Sequence, residues 1–516
     1  MKPRPEASSD ALRSRPVPAD ASPRRGAAVA GRIALGVVPL LLAWSAYRGL
    51  LGCYFYNDDF EILYDLGNSG PFPFLFEPHL GHGLIVRNLL LWGMRSAFGV
   101  DASAWFATAL AVHLLNTALL FLLVETLTGG AWLGALAATL FGISRTHEGT
   151  LGWMSASGHA MATVPLLVLL LSMARHDRRG AVPSSWTLVG WVLLAASSQC
   201  FGVALSAAPA VIIVARWFVP GLSARAHRRL VLATLAIVFG VYGAQRIVFP
   251  ALPGAPIDIQ RVPPMAILPR VAVAWLRLHI DLGFLVSPPV PTIEHGMLPN
   301  VVLATASAAL LLVAVVRPGA DRARRWIPGL FAVIAAAYLP IALTRTAFPD
   351  LQGVLRYHYV THALIATALA IALAKVFAGS PARRAVGAAG CAGAVGILAW
   401  LLGLQPYPVD HHDVDRAESA AALARIDQAP RRSGEPVLVP NPGFGPTGSL
   451  SLFEPEGRFP GVAALYIGFR SSRDDPTIRF VSRSPGEYAF ASRRGGRIAT
   501  LLVPPDASTA GEAARR

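Results

Sequence analysis

The chain has 516 residues, of which 54% are hydrophobic and only 15% are charged, and its mean hydropathy is +0.49. A soluble domain carries about 25% charged residues, so this composition excludes an ordinary water-soluble protein. The net charge of +15 comes from arginines in short clusters between apolar runs rather than on one face, which argues against a nucleic-acid partner.

The first 30 residues are rich in Pro, Arg, Ser and Ala and predict a disordered basic tail. The next apolar run is too long for a signal peptide, and no small-residue cleavage site follows it, so we expect it to remain as an anchor. Further apolar runs recur to residue 404. The sequence therefore predicts a polytopic α-helical membrane protein with about eleven spans, near 31–53, 103–126, 131–145, 160–174, 186–200, 202–218, 230–249, 299–316, 326–345, 357–377 and 386–404.

Arginine clusters predict the orientation, because positively charged loops stay in the cytoplasm. An odd number of spans then places the chain from residue 405 onward outside. The arginine-rich, lysine-poor composition is typical of a GC-rich bacterial genome, so we expect a bacterial plasma membrane. The predicted cytoplasmic segments are the N-terminal tail and the clusters at 175–179, 225–229, 317–325 and 383–384.

Residues 267–286 are apolar but contain four ionisable side chains, among them Arg277. A span there would place the 317–325 arginines outside, so we interpret it as an interfacial or re-entrant helix on the outer side. Four outer pieces then face one compartment and are expected to build one site: 54–102, 145–159, 250–298 and 346–356.

After residue 404 the composition changes, and short β-type runs alternate with Pro and Gly. This pattern predicts a small α+β domain over 405–516, following the transmembrane module over 31–404. The predicted strand segments are 437–439, 462–469, 477–481, 487–491 and 498–503.

Asp58 and Asp59 form an acidic pair just after the first predicted span. Such a pair can act as a general base or can ligate a divalent cation through oxygen. The sequence leaves metal-dependent and metal-free chemistry open, so no metal ligand and no cofactor is assigned.

Arginines occur at three further outer positions. Arg87 begins an amphipathic run, and its planar guanidinium suits either a phosphate or snorkelling toward lipid headgroups. Arg145 stands with His147 and Glu148 at the end of the third predicted span, where they form an ionisable cluster. Arg356 begins a late span and, with Tyr357, could hold an anionic lipid headgroup.

The second predicted span contains His113 and Asn116. Polar groups inside a span usually face protein or a water-filled cavity. For Asn116 we favour a hydrogen bond between helices.

Taken together, these motifs resemble the GT-C superfamily of membrane glycosyltransferases, in particular its protein O-mannosyltransferase-like branch. The resemblance covers residues 31–220 by motif and the rest by architecture. It departs from the family where Asn88 replaces a proline after Arg87, and where Glu148 precedes Trp153 by five residues instead of four. The matching motifs are Asp58-Asp59, Arg87-Asn88-Leu89, His113-x-x-Asn116, His147-Glu148 before Trp153, and Arg356-Tyr357.

The resemblance implies an inverting hexosyl- or pentosyltransferase that moves a sugar from a polyprenyl-phosphate donor to a hydroxyl of a glycan, lipid or protein at the outer membrane face. Asp58, Asp59 and Glu148 would be catalytic. The donor phosphate would be bound by Arg87, Arg356, Arg145 and Arg277, and the site would be lined by His147, His113 and Tyr357.

Two other functions remain compatible with the sequence. A ligase or polymerase of polyprenyl-diphosphate-linked glycans would have similar spans, but usually places its large outer loop late in the chain. A transporter or flippase often shows repeated halves and interrupted helices, and no repeat is evident here.

Overall fold

The computed structural model describes residues 21–55, 71–76, 84–248, 293–317, 321–344 and 355–378, with isolated residues and short stretches elsewhere. Asp58, Arg277 and the whole of the predicted re-entrant segment 267–286 lie outside the described residues.

The described chain is mainly helical. The helices, in chain order, are α1 Ala21–Tyr47, α2 Pro71–Phe76, α3 Ile85–Phe98, α4 Ala102–Thr128, α5 Ala131–Gly142, α6 Glu148–Leu151, α7 Gly158–Arg179, α8 Ser185–Ser197, α9 Gly202–Ile213, α10 Ala215–Phe218, α11 Ala224–Val248, α12 Ile293–Val316, α13 Asp321–Thr344 and α14 Tyr359–Phe377. Four 3₁₀ turns accompany them, at Arg48–Gly52, Arg145–His147, Met154–Ser157 and Leu355–His358.

Four short strands follow, β1 Val437–Pro440, β2 Ile478–Val481, β3 Glu487–Phe490 and β4 Ala499–Leu502. β1 pairs in parallel with β2, and β3 pairs antiparallel with β4. They coincide with four of the five predicted strand segments. The α+β domain over 405–516 stays a prediction.

Among the described residues, five helical segments are long and apolar enough to cross a membrane, so the chain is a multi-pass membrane protein. These are Val29–Gly52, Ala102–Thr128, Met154–Arg179, Ala224–Gln245 and Arg356–Phe377. A helix stands at every predicted span up to 357–377, but several are short. The total of eleven therefore remains a prediction.

Two predicted boundaries need correction. The tail predicted as disordered over 1–30 already becomes helical at Ala21, since Ala and Arg are strong helix formers that extend α1 toward the N-terminus. The third predicted span, 131–145, ends as an α-helix at Gly142. Its 12 residues rise only about 18 Å, which is less than a hydrocarbon core.

The core forms where α14 packs against α4, α5 and α13. α14 is buried on nearly all sides, as expected for a helix that is apolar all round. Close helix contact depends on small residues. A Cβ on Gly134 of α5 would stand 2.8 Å from the Phe121 carbonyl oxygen of α4, so the α4–α5 crossing requires glycine at that position.

Two sets of contacts identify the ends of the helices. At one end, here called the ion-pair end, Asp177 of α7 binds Arg322 at 2.8 Å and Arg325 at 3.0 Å. The 175–179 and 317–325 clusters therefore lie together. This agrees with the prediction that both clusters are on the same side of the membrane.

At the other end, here called the site end, the Ser103 hydroxyl donates to the Leu51 carbonyl at 3.0 Å. Arg416 donates to the Gly52 carbonyl at 2.5 Å, which places residue 416 at this end as well.

Candidate functional site

Residues 143–157, which join α5 to α7 at the site end, are here called the connection. Instead of one loop, they form a 3₁₀ turn, the short helix α6 and a second 3₁₀ turn, Met154–Ser157. Gly149 lies within α6, and Gly152 follows its last residue. Most side chains of the connection are buried, and the predicted site residues meet around it.

Asp59 is almost completely buried, with 1% exposure, and is held by the connection. Its carboxylate accepts the backbone N–H of Ser155 at 2.6 Å and that of Met154 at 3.3 Å. These amides begin a 3₁₀ turn and have no acceptor within that turn. Asp59, the described member of the Asp58-Asp59 pair (here called the acidic segment), is therefore anchored to the connection.

Arg87 is also buried, at the start of α3. Its guanidinium donates to the Asn88 side-chain oxygen at 3.0 Å, and Asn88 donates to the Phe74 carbonyl at 2.8 Å. A Cβ on Gly158 would stand 3.2 Å from the Arg87 side chain and 2.7 Å from the Cys200 carbonyl oxygen. Asn88, which departs from the family pattern, thus orients Arg87 against the start of α7.

Arg145 and Glu148 form an ion pair within the connection. Burial raises the pKa of Glu148, while the Arg145 cation opposes that rise. Because Arg145 is paired with this carboxylate, its charge is less available to a phosphate than that of an arginine without a carboxylate partner.

His113 lies wholly inside the helix packing, so it links helices rather than opening into a cavity. Its Nε2 lies 2.9 Å from the Gly142 carbonyl oxygen, which can only accept, so Nε2 carries the hydrogen. Nδ1 then accepts from the Tyr359 hydroxyl at 2.7 Å. Asn116 donates to the Ala160 carbonyl at 2.8 Å, which confirms the predicted hydrogen bond between helices.

His147 is fully buried among aromatic rings. Its ring centroid lies 4.4 Å from that of Tyr359 and 4.6 Å from that of Phe141. Burial lowers the pKa of His147 well below its ordinary value, and His113 and His362 act in the same direction. The Phe141 carbonyl opposes this, but neither ring nitrogen makes a hydrogen bond of normal geometry. His147 is therefore a neutral packing residue.

Arg356 contrasts with the paired arginines. Its guanidinium carbon lies 4.7 Å from the centroid of the Trp153 ring and 5.1 Å from that of Tyr357. Aromatic faces attract a cation without neutralising it. Within the described residues, no ion pair or side-chain hydrogen bond of this guanidinium is present, and its contacts there are the two aromatic rings.

Sequence reasoning missed two histidines that hold this region together. The Tyr338 hydroxyl lies 2.7 Å from His358 Nδ1, and the Thr146 hydroxyl lies 2.7 Å from His362 Nδ1. The sequence did contain a pattern that could have indicated them: the two histidines are four residues apart at the start of a predicted span, a spacing that places both on one face of a helix.

The structure thus brings three of the four predicted outer pieces together. Asp59 and Arg356 both contact residues 153–155, and Arg87 packs against Gly158, which begins α7 immediately after the connection. Tyr357 lies beside Arg356 and faces His159, with ring centroids 5.9 Å apart. Within the described chain, no cluster of three or more His, Cys, Asp or Glu side chains is arranged to hold a metal ion.

The fold and this site define a multi-pass helical membrane protein with ionisable groups gathered at one end of its helices. No family model matches the chain, and no curated protein matches it.

Two solved structures of ArnT from Cupriavidus metallidurans match. The one bound to undecaprenyl phosphate is 14% identical with a TM-score of 0.36, and the match covers 93% of this chain and 91% of that chain. The apo structure is 15% identical with a TM-score of 0.35, and the match covers 94% and 91%.

Proposed function

We propose that this protein is an inverting GT-C type glycosyltransferase that moves a sugar from a polyprenyl-phosphate donor to an acceptor hydroxyl. One observation carries the proposal: Asp59 and the guanidinium of Arg356 meet at residues 153–155. Asp59 binds the backbone there, and Arg356 lies on the Trp153 ring. Transfer from a phosphate donor needs a base on one side of the sugar and a cation on the other.

The two aspartates divide the work. Asp59 is buried on the backbone of the connection and acts as a positioning residue. Asp58, its neighbour, takes the proton of the acceptor hydroxyl. The acceptor oxygen then bonds to the anomeric carbon, while the bond from that carbon to the phosphate oxygen breaks and its electron pair stays on the phosphate. A single displacement of this kind inverts the anomeric carbon.

The leaving phosphate gains negative charge, and cations stabilise that charge in the transition state. Arg356 is the strongest candidate because two aromatic rings hold it, and among the described residues no carboxylate pairs with it. Arg87 and Arg277 are further candidates. Arg145 is a weaker one, since Glu148 is its ion-pair partner. His147, His113 and Glu148 support the packing of the connection.

The proposed setting is the outer face of a bacterial plasma membrane, with the N-terminus in the cytoplasm and residues 405–516 outside. The contact between Arg416 and Gly52 supports a common side for the C-terminal segment and the acidic segment. The O-mannosyltransferase-like branch, and an acceptor that is a glycan, lipid or protein, rest on the sequence motifs.

Sugar transfer in purified membranes tests the proposal, with a panel of radiolabelled polyprenyl-phosphate sugars as donors. Wild type should move label from one donor to a lipid, glycan or protein, and the Asp58→Asn/Asp59→Asn double variant should not. Asp10→Asn in the N-terminal tail is the matched control and should transfer normally. If folded wild type consumes no donor, or if the double variant transfers like wild type, the proposal is wrong.

A further inference from the structure

A buried chain of polar groups runs through the site end. The Tyr47 hydroxyl donates to the Ser144 carbonyl. The Ser144 hydroxyl lies 2.8 Å from the Thr146 hydroxyl, which lies 2.7 Å from Nδ1 of His362. None of these four residues is more than 5% exposed. They are here called the polar chain.

The polar chain links three segments that lead to proposed site residues. Tyr47 ends α1, which precedes the acidic segment with Asp59. Ser144 and Thr146 belong to the connection, which binds Asp59 through Ser155. His362 lies in α14, close in sequence to Arg356, which belongs to the 3₁₀ turn Leu355–His358 that leads into this helix. The polar chain therefore connects the segments that carry Asp59 and Arg356, and it can influence the distance between these two residues.

Two other buried threonines, Thr367 and Thr163, make no such bridge. Thr367, also in α14, donates its hydroxyl to the Ala363 carbonyl of its own helix at 2.8 Å, and Thr163 does the same with His159 in α7. Such bonds stay within one helix and join nothing else. Thr146 instead joins the connection to α14 across more than 200 residues of sequence.

We propose that Thr146 and His362 are positioning residues that hold Arg356 in register with the connection during sugar transfer. This inference rests on the proposed function. Removing the Thr146 hydroxyl leaves a buried histidine nitrogen without that partner, which a buried polar group tolerates poorly. The Thr146 backbone and the start of α14 then shift, and Arg356 moves away from Trp153.

Three variants test it kinetically. Thr146→Val keeps the side-chain shape and removes the hydroxyl, so kcat should fall by about tenfold, with the KM for the donor changing less. Thr146→Ser keeps the hydroxyl and should restore most of the rate. Thr367→Val is the matched control, since it makes the same change in an equally buried threonine, and it should leave kcat within about twofold of wild type.

A second measurement does not depend on catalysis. Phenylglyoxal modification of Arg356, followed by mass spectrometry, should be severalfold faster in Thr146→Val than in wild type or Thr367→Val, because the guanidinium is released from the Trp153 face. If Thr146→Val does not fold, Ser144→Ala can replace it, because it removes the hydroxyl that contacts Thr146. Ser144→Ala should lower kcat and speed Arg356 modification, each by a smaller factor.

The results separate the two ideas. Unchanged kcat and unchanged Arg356 modification in Thr146→Val would overturn the positioning role, and so would equal effects in Thr146→Val and Thr367→Val. An inactive wild type on every donor, together with faster Arg356 modification in Thr146→Val, would overturn the glycosyltransferase proposal, and only the structural part of the inference, that Thr146 holds Arg356 against Trp153, would stand.

Discussion

The two ends of the helices use arginine in opposite ways. At the ion-pair end, Arg322 and Arg325 share the buried carboxylate of Asp177, and Arg324 donates to the Val315 and Val316 carbonyls. At the site end, Arg356 lies on two aromatic rings with no carboxylate bound to it in the described chain. Both ends are rich in arginine, but Arg322 and Arg325 are paired with a carboxylate, whereas Arg356 is packed on aromatic rings.

The difference shows that partners, rather than residue type, decide what an arginine does. A carboxylate neutralises a guanidinium and uses its donors, which makes the contact structural. An aromatic face orients the cation and leaves its hydrogen-bond donors free. Substitutions at the two ends should therefore have different consequences, activity at one end and stability at the other.

The largest effect is expected at the acidic segment. Asp58→Asn should lower kcat by about 10²- to 10⁴-fold, because asparagine cannot take the acceptor proton. Asp59→Asn should lower thermal stability. The side-chain NH₂ group of asparagine would face one of the two backbone N–H groups that now donate hydrogen bonds to the Asp59 carboxylate. Transfer rates and unfolding midpoints measured for both variants decide this. Full activity in Asp58→Asn would show that Asp58 is not the catalytic base and would contradict the proposed site.

The next largest effect is expected for Arg356→Lys, which should lower kcat/KM for the donor about 10²-fold. Lysine keeps the charge but lacks the planar fork that binds phosphate and stacks on Trp153. Arg324→Lys, the same change at the ion-pair end, is the matched control and should leave kcat/KM near wild type. Equal losses in both variants would contradict the contrast between the two ends.

Asp177→Asn should act on stability alone. Arg322 and Arg325 would lose a buried anion, which we expect to cost about 2 kcal/mol in the free energy of unfolding. Glu125→Gln breaks the pair with Arg32, which is 59% exposed, and should cost less than about 1 kcal/mol. Thermal unfolding in detergent measures both. A lower rate of sugar transfer per folded molecule in Asp177→Asn would contradict the claim that the ion-pair end affects stability alone.

The last effect concerns the pH dependence of stability. Because burial lowers the pKa of His147, the unfolded chain takes up a proton below the ordinary histidine pKa of about 6.5, while the folded ring stays neutral. Stability is thus lost as pH falls below about 6.5, by up to about 1.4 kcal/mol per pH unit.

His147→Phe keeps ring packing against Tyr359 and removes this proton, so its unfolding midpoint should fall less than that of wild type between about pH 7 and about pH 5. Glu148 acts in the opposite sense, since its raised pKa lets the folded chain take up a proton first. Glu148→Gln should therefore steepen the loss at acid pH. An unchanged slope in His147→Phe would show that this ring is not buried as neutral imidazole.

Much of the fold was predictable because hydrophobicity in a membrane protein is a local property. Runs of apolar residues predicted the positions of the helices, and the arginine clusters at 175–179 and 317–325 predicted which helix ends lie together. The short α5 and the early start of α1 were not predicted, because length and helix propensity near a boundary depend on packing and on neighbouring residues.

The candidate site was only partly predictable. Motif spacing indicated Arg87, Asp59 and Arg356, but it could not show that Arg145 pairs with Glu148 or that His113 is completely buried. Each of these distinctions depends on contacts between segments that are far apart in the chain, such as Thr146 with His362.

By itself, the sequence determined a membrane-embedded helical chain, its arginine-rich loops and the residues able to carry transfer chemistry, because hydropathy and side-chain chemistry belong to single residues. Only the tertiary structure decided that Asp59 anchors to residues 154 and 155, that Arg145 is paired, and that Arg356 rests on Trp153. Charge availability depends on which groups meet in the fold, and that is set by packing.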